Sequence, residues 1–200
     1  MIKNIVFDVG KVLVYYEPDF LMDKLGYDEE TKRRMKGAMF HSAAWDEGDR
    51  GVWTEEELVD AFIANDPELE EKIRYCHEHV DGVIEIMPHT IGWMEELKSR
   101  GYRLYVISNY GKNTYEKTEK KLTFSKFMDG EIYSYKYKMK KPDHCIYEKL
   151  LEDYQLNASE CVFIDDRKEN IDAAKEVGFE GIVFENYEQA KAELDALLAR

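Results

Sequence analysis

The chain has 200 residues, enough for one domain or a domain carrying a sizeable insertion and too few for two large ones. Hydrophobic residues make up 44% and charged residues 35%, with only 12 Gly and 4 Pro, a balance that excludes disordered and fibrous proteins. Twenty-eight Lys and Arg against 42 Asp and Glu leave a formal charge of −14, so no nucleic acid and no membrane is expected as a main partner, both surfaces being polyanionic.

The opening run Met1 to Asp8 reaches a charge too soon for a signal peptide, and no apolar run approaches the roughly 20 residues a bilayer span needs. A cytoplasmic protein is expected. The first strand is predicted over Ile5 to Phe7. From about Tyr16 to Met87 the pattern is helical with almost no strand-like run, which predicts an inserted helical subdomain entered near Glu17-Pro18 and left near Met87-Pro88. Within it, Thr54 and Glu57 form a capping-box signal, Leu58, Phe62 and Ile63 make an apolar face, and Asp66-Pro67 punctuates a new helix.

Beyond Met87, apolar β-branched runs alternate with helical spacing. Strands are predicted at Leu104 to Ile107, Glu131 to Tyr133, Cys161 to Ile164 and Gly181 to Phe184. Helical faces fall at Ile91, Met94 and Leu97 before Gly101, at Ile146, Leu150 and Leu151 after Pro142, and at Ala173, Ala174 and Val177 before Gly178. Tyr187 to Ala199 reads as a terminal amphipathic helix. This alternation specifies an α/β fold, a parallel sheet covered by helices, with a core of residues 1–15 and 88–200 and a helical insertion of residues 16–87. Cys76, Cys145 and Cys161 are an odd set without a close-spaced pair, as expected of reduced thiols that serve packing.

Four stretches place chemistry at strand ends. Asp8 precedes a glycine turn in Phe7-Asp8-Val9-Gly10, and alone it could simply start that turn. Ser108 and Asn109 leave the second strand with a hydroxyl and backbone amides. Lys141-Pro142-Asp143 precedes a helix, and Asp165-Asp166 ends a further strand. Adjacent carboxylates at a sheet edge repel unless a cation offsets them, which makes this pair more informative than the others, with a helix N-cap assisted by a neighbour as the lesser alternative.

These four stretches, in this order, resemble the motifs of the haloacid dehalogenase-like superfamily along nearly the whole chain, and the insertion resembles that family's type 1 cap. The resemblance implies a three-layer Rossmann-like core and a phosphatase for a small phosphate ester. Within the family the chain looks closest to bacterial phosphatases of α-glucose 1-phosphate and similar sugar phosphates, through Phe-Asp-x-Gly and the segment Gly48-Asp49-Arg50-Gly51-Val52-Trp53-Thr54. It implies Asp8 as nucleophile and Mg²⁺ as cofactor, held by Asp8, the Gly10 carbonyl, Asp166 and Asp165 alongside or one layer out. Lys141 would add charge beside Asp8, and Ser108 with the Asn109 amide would bind the phosphate.

Gly10 departs from the pattern, because most phosphatases of the family carry a second aspartate there as general acid and base. General acid–base assistance contributes about 10²- to 10⁴-fold, so on this residue alone a slow or leaving-group-selective enzyme is expected. Two alternatives stay open: a catalytically weak member that binds a phosphometabolite or protein partner, and a 2-haloacid dehalogenase, which also lacks that aspartate and needs no metal.

Other signals have plainer readings. Cys76-His77-Glu78-His79 is expected to be a solvated helix end rather than a zinc site. The segment Tyr135 to Lys141 is expected to form a local anion-attracting rim. Tyr15, Tyr16, Phe40, Trp45 and Trp53 could stack on a sugar or form the insertion's core, while His41 and Arg50 could reach substrate or lie on the surface. Monomer and homodimer are equally compatible with the sequence.

Overall fold

The computed structural model describes residues 1–199. In chain order its elements are β1 (Asn4–Phe7), β2 (Val14–Tyr16), α1 (Pro18–Lys24), α2 (Glu29–Met35), a π-helical turn (Lys36–Phe40), α3 (Ala43–Arg50), α4 (Glu55–Asn65) and α5 (Glu70–Glu78). They continue with β3 (Ile84–Ile86), α6 (Thr90–Ser99), β4 (Arg103–Ser108), α7 (Lys112–Thr118), β5 (Gly130–Tyr133), α8 (Ser134–Tyr137) and α9 (His144–Tyr154). The chain ends with β6 (Cys161–Asp165), α10 (Lys168–Val177), β7 (Glu180–Val183) and α11 (Tyr187–Leu198). None of these helices is long and apolar enough to cross a membrane.

Five strands pair in parallel in the order β5-β4-β1-β6-β7. Side-chain alternation along them divides the interior into two layers. Ile5 and Phe7 of β1, with Leu104, Val106, Val162 and Ile164, pack with Trp93, Met94 and Leu97 of α6 and with Leu194 of α11. Val6, Tyr105, Ile107 and Phe163 point the other way, onto Ile146, Tyr147 and Leu150 of α9 and Ile171 and Ala174 of α10. The result is the expected three-layer α/β arrangement. The chain runs from β1 to β4 and β5 on one side and returns to β6 and β7 on the other, so the carboxyl end of β1 lies where strand order reverses. Ligands of open α/β sheets bind at such a crevice.

Five helices fill the stretch between β2 and β3. The Thr54–Glu57 capping box forms at α4, where Glu57 N–H donates to Thr54 Oγ1 and Thr54 N–H donates to Glu57 Oε2. One expectation for this stretch is corrected. Its two ends are not free of strand structure: β2 and β3 form an antiparallel ribbon with Val14 opposite Ile86 and Tyr16 opposite Ile84. Three residues are too few for a period-2 pattern to be legible, and their pairing spans about 70 positions of sequence.

Candidate active site

The carboxyl edge of the sheet brings the four sequence-predicted stretches together. Asp8 follows β1 directly, and its N–H donates to Ile164 O at 2.9 Å, which ties the end of β1 to β6. Asp8 is 8% exposed; its Oδ1 accepts from Val9 N–H at 2.7 Å and lies 2.8 Å from Lys141 Nζ. Lys141, 3% exposed, also donates to Asp165 Oδ2 at 2.6 Å. Asp165 is fully buried at the end of β6. Its Oδ1 accepts from Arg167 N–H at 2.8 Å, and Asn170 Nδ2 reaches Oδ1 at 2.9 Å and Oδ2 at 3.0 Å.

Carboxylate oxygens of Asp8, Asp165 and Asp166 all lie within 4.8 Å of one another. Three acids against one buried lysine leave excess negative charge, and the acids respond to it. Burial, reinforced by Asp165 and Asp166 and opposed by Lys141, pushes the Asp8 carboxyl up to about 7. Burial and then Asp165 raise Asp166, against Lys11, Lys141 and Arg167. Lys141 stays charged: burial opposes the ammonium, but Asp165 and Asp8 hold it above the ordinary lysine range.

A hard divalent cation suits this donor set, which is all oxygen and short of positive charge. Asp8 has one oxygen outside its Val9 and Lys141 contacts. The Gly10 carbonyl accepts none of the backbone bonds of its turn, where Leu13 and Val14 both donate to Val9 O. Both oxygens of Asp165 are committed to Lys141, Asn170 and the Arg167 amide, so Asp165 holds Lys141 in place within the cluster.

Ser108 ends β4 and is buried at the cavity wall. The Asn109 side chain does something the sequence did not suggest: Lys141 N–H donates to Asn109 Oδ1 at 2.8 Å while Asn109 Nδ2 donates to Lys141 O at 3.0 Å. This clamp on the Lys141 peptide aims its ammonium between Asp8 and Asp165.

Above the edge lies a cavity of roughly 240 Å³ bounded on one side by Asp8, Gly10, Lys11, Ser108, Asn109, Lys141, Asp166 and Arg167. Tyr16, Phe40, Trp45, Asp46 and Asp49 bound the other side. Trp45 belongs to the packed core of the insertion, 4.9 Å from Phe40 and 5.9 Å from Phe62, and it also lines the cavity with Tyr16 and Phe40. Tyr15 and Trp53 are exposed and outside the lining. His41 is exposed, and Arg50 pairs with Asp143 at 3.3 Å; neither lines the cavity.

Two expectations are corrected here. Cys76 and His77 are buried rather than solvated. His77 Nε2 meets Asn113 Nδ2 at 2.9 Å and Glu55 Oε1 at 3.2 Å, binding α5 to α7 and α4. The segment 135–141 is a seat for α3 more than a free rim: Lys138 Nζ donates to Gly51 O, and Lys140 lies 3.8 Å from Asp46. Lys11, Asp49, Arg167 and Asn170 also line the cavity without a motif that marks them in sequence, although Lys11 adjoins Gly10, Arg167 adjoins Asp166, and Asp49 lies inside the segment Gly48 to Thr54.

Residues 51–184 match the model of haloacid dehalogenase-like hydrolases. The D-ribitol-5-phosphate phosphatase of Bacteroides thetaiotaomicron is 26% identical over 99% of this chain and 99% of its own length. The chloroplast flavin mononucleotide hydrolase 1 of Arabidopsis thaliana is 27% identical over 78% of this chain, but the match spans 63% of that protein. A wild-type enzyme of the same family from Bacteroides thetaiotaomicron, solved with magnesium and inorganic phosphate, shares the fold with a TM-score of 0.71 and 22% identity over 94% of this chain and 98% of that one. With the model match covering well over half of the chain, it belongs to the haloacid dehalogenase-like hydrolase family.

Proposed function

We propose that the chain is a Mg²⁺-dependent phosphatase of a small phosphorylated metabolite, with a sugar or polyol phosphate as substrate class. The observation that carries this reading is the buried Asp8–Lys141–Asp165 array beside Asp166, opening into a cavity at the switch point of the sheet. Relatives named as a D-ribitol-5-phosphate phosphatase and a flavin mononucleotide hydrolase support the class. The cavity volume favours a small ester, being below the range of about 300–1,000 Å³ usual for ligand pockets. Aromatic faces from Tyr16, Phe40 and Trp45 beside the carboxylate of Asp46 suit a polyhydroxy carbon chain, whose C–H faces stack and whose hydroxyls donate.

In this reading Asp8 attacks phosphorus in line, giving an aspartyl-phosphate that water hydrolyses. Asp8, the Gly10 carbonyl and Asp166 would hold Mg²⁺, with Asp165 beside them, and the ion would screen the repulsion between a carboxylate and a phosphate. Lys141 neutralises charge on Asp8 and the transferring group. Ser108 and the Asn109 backbone amide donate to phosphate oxygens. Residues 16–87 act as the cap that excludes water and selects substrate, over a core formed by the rest of the chain.

Phosphate release across several dozen phosphorylated metabolites, with and without Mg²⁺, tests the reading, with Asp8→Asn as the blank. The wild type is expected to exceed Asp8→Asn by roughly a thousand-fold or more on its preferred ester. Equal background rates would instead favour a binding protein, and chloride release from a 2-haloacid in the presence of EDTA would favour a dehalogenase.

A further inference from the structure

An alkoxide cannot leave phosphorus readily without a proton at the departing oxygen, and two residues past the nucleophile this chain has only Gly10. The cationic side chains on the core side of the cavity are no substitute. Lys141 is bound between Asp8 and Asp165, Arg167 is a permanent cation, and Lys11 and Arg167 face the charge of Asp166.

The opposite wall is different. Helix α3 begins under a Ser42 cap, whose Oγ accepts from Trp45 N–H at 3.2 Å, and ends at Gly51 in the left-handed region with φ 71°. Its last turn is fastened to the core: Ser134 Oγ donates to Asp49 O and in turn accepts from Tyr110 N–H at 2.8 Å. Arg50 pairs with Asp143, and Lys138 holds Gly51 O. The fit to the loop after β4 is close. A Cβ on Gly111 would sit 3.5 Å from Asp49 Oδ1 and 3.4 Å from Gly48 O. This docking places Asp49 in the lining of the cavity that Asp8 shares, with Asp49 Oδ1 close to the Gly111 backbone.

We propose that Asp49 is the general acid and base of the reaction, carried on the cap in place of the aspartate that position 10 lacks. The assignment rests on the phosphatase reading above. As Asp8 attacks and the P–O bond to the organic group breaks, the Asp49 carboxyl transfers its proton to the departing oxygen and becomes a carboxylate. In the second half, that carboxylate takes a proton from the water attacking phosphorus. The Asp8–phosphorus bond then breaks, returning Asp8 as a carboxylate, Asp49 as a carboxylic acid, and inorganic phosphate.

The local chemistry supports this division of labour. Burial first, and then Asp46 and Asp8, against Lys140 and the Gly111 amide, push the Asp49 carboxyl up to about 7, so it is available as an acid near neutrality. Tyr16, beside it, has a buried hydroxyl with no hydrogen-bond partner among the described residues. Its phenol is held well above the ordinary range by burial and then by Asp49, so it can donate a hydrogen bond but not cycle a proton.

The test compares two esters in one variant. Asp49→Asn is assayed on p-nitrophenyl phosphate, whose leaving group needs no proton, and on the best alkyl phosphate of the metabolite screen. Losses of about 10²- to 10³-fold are expected on the alkyl ester and less than about tenfold on the aryl ester. Asp49→Glu should recover part of the alkyl rate, and Glu47→Gln, on the same helix but outside the cavity lining, should leave the ratio of the two rates unchanged. Because misfolding lowers both rates together, an equal loss on the two esters, or no loss on either, overturns the assignment. If the wild type matches Asp8→Asn on both, the phosphatase reading fails first and takes this assignment with it.

Discussion

The two walls of the cavity are built on different principles. On the sheet edge Asp8, Asp165 and Lys141 are fixed by hydrogen bonds: Val9 N–H holds Asp8, the Arg167 amide and Asn170 hold Asp165, and Asn109 holds the Lys141 peptide. On the cap wall, Tyr16, Phe40 and Trp45 are held by ring packing, and Asp49 is placed by the docking of its own helix onto α8. The first arrangement fixes the charge geometry at the sheet edge, where the proposed reaction would take place. The second makes a wall whose contents can change without disturbing Asp8 and Lys141, so that in the proposed reaction substrate choice and proton donor could vary there.

Removing Lys141 should produce the largest effect and sharpen this contrast. Lys141→Ala leaves the buried carboxylates of Asp8 and Asp165 facing each other, which typically costs about 3–5 kcal/mol when one partner of a buried pair is lost. Phosphate release should fall by roughly a thousand-fold, and thermal unfolding should show the protein to be much less stable. Retained activity would mean that the sheet edge does not depend on its internal cation. Asn109→Ala tests the clamp alone. Misplacing the ammonium by about 1 Å can cost on the order of 10²-fold, so kcat should fall by roughly 10- to 100-fold with KM little changed. A rise in KM with kcat intact would instead make Asn109 a substrate contact.

Binding of the cation is readable without turnover. At a Mg²⁺ concentration about 100 times the Kd, linkage adds about 2.7 kcal/mol, which for a chain of this length raises Tm by about 5–10 °C. Asp166→Asn should abolish most of that rise. An equal rise in wild type and variant would place the ion elsewhere.

The same contrast decides what the sequence could disclose. Strand ends are local features, so Asp8, Ser108 and Asp165 were legible from short apolar runs that stop at a polar residue, and the parallel sheet from the alternation of those runs with helical spacing. Lys141 was legible only as a member of a set in a fixed order. Its partners 24 and more positions away become visible in the fold. Asn109 reads in sequence as a backbone amide donor, but its side chain serves a residue 32 positions away, a pairing that no periodicity encodes. The cap wall was less legible still. Asp49 reads in sequence as one acid among several in Asp46-Glu47-Gly48-Asp49, and it differs from them only because Ser134, 85 positions on, fixes the turn that carries it. Likewise, Cys76-His77 looked like a polar helix end because the groups that bury it, Glu55 and Asn113, come from two other helices.

The smallest predicted effect concerns the difference in charge state between the walls. Asp49 faces Asp46 on its own helix, Lys140 and the Gly111 amide on the seat below, Asp8 across the cavity, and the hydroxyls of Tyr16 and Tyr110. Its carboxyl is raised from 3.8 to about 7 on folding. The folded protein therefore holds a proton that the unfolded chain releases, and the stabilisation present below about pH 4 is lost as pH rises through about 7. Asp8 acts in the same direction but is common to wild type and Asp49→Asn, so the difference between them isolates the cap acid. In chelator-treated protein, Tm should fall between pH 5 and pH 8 by a few degrees more in the wild type than in Asp49→Asn, measured by circular dichroism melts on both. Parallel curves would mean that solvent reaches Asp49 freely. The cap wall would then lack the desolvation that lets a carboxylic acid persist near neutrality, and proton delivery to the leaving oxygen would have to come from water.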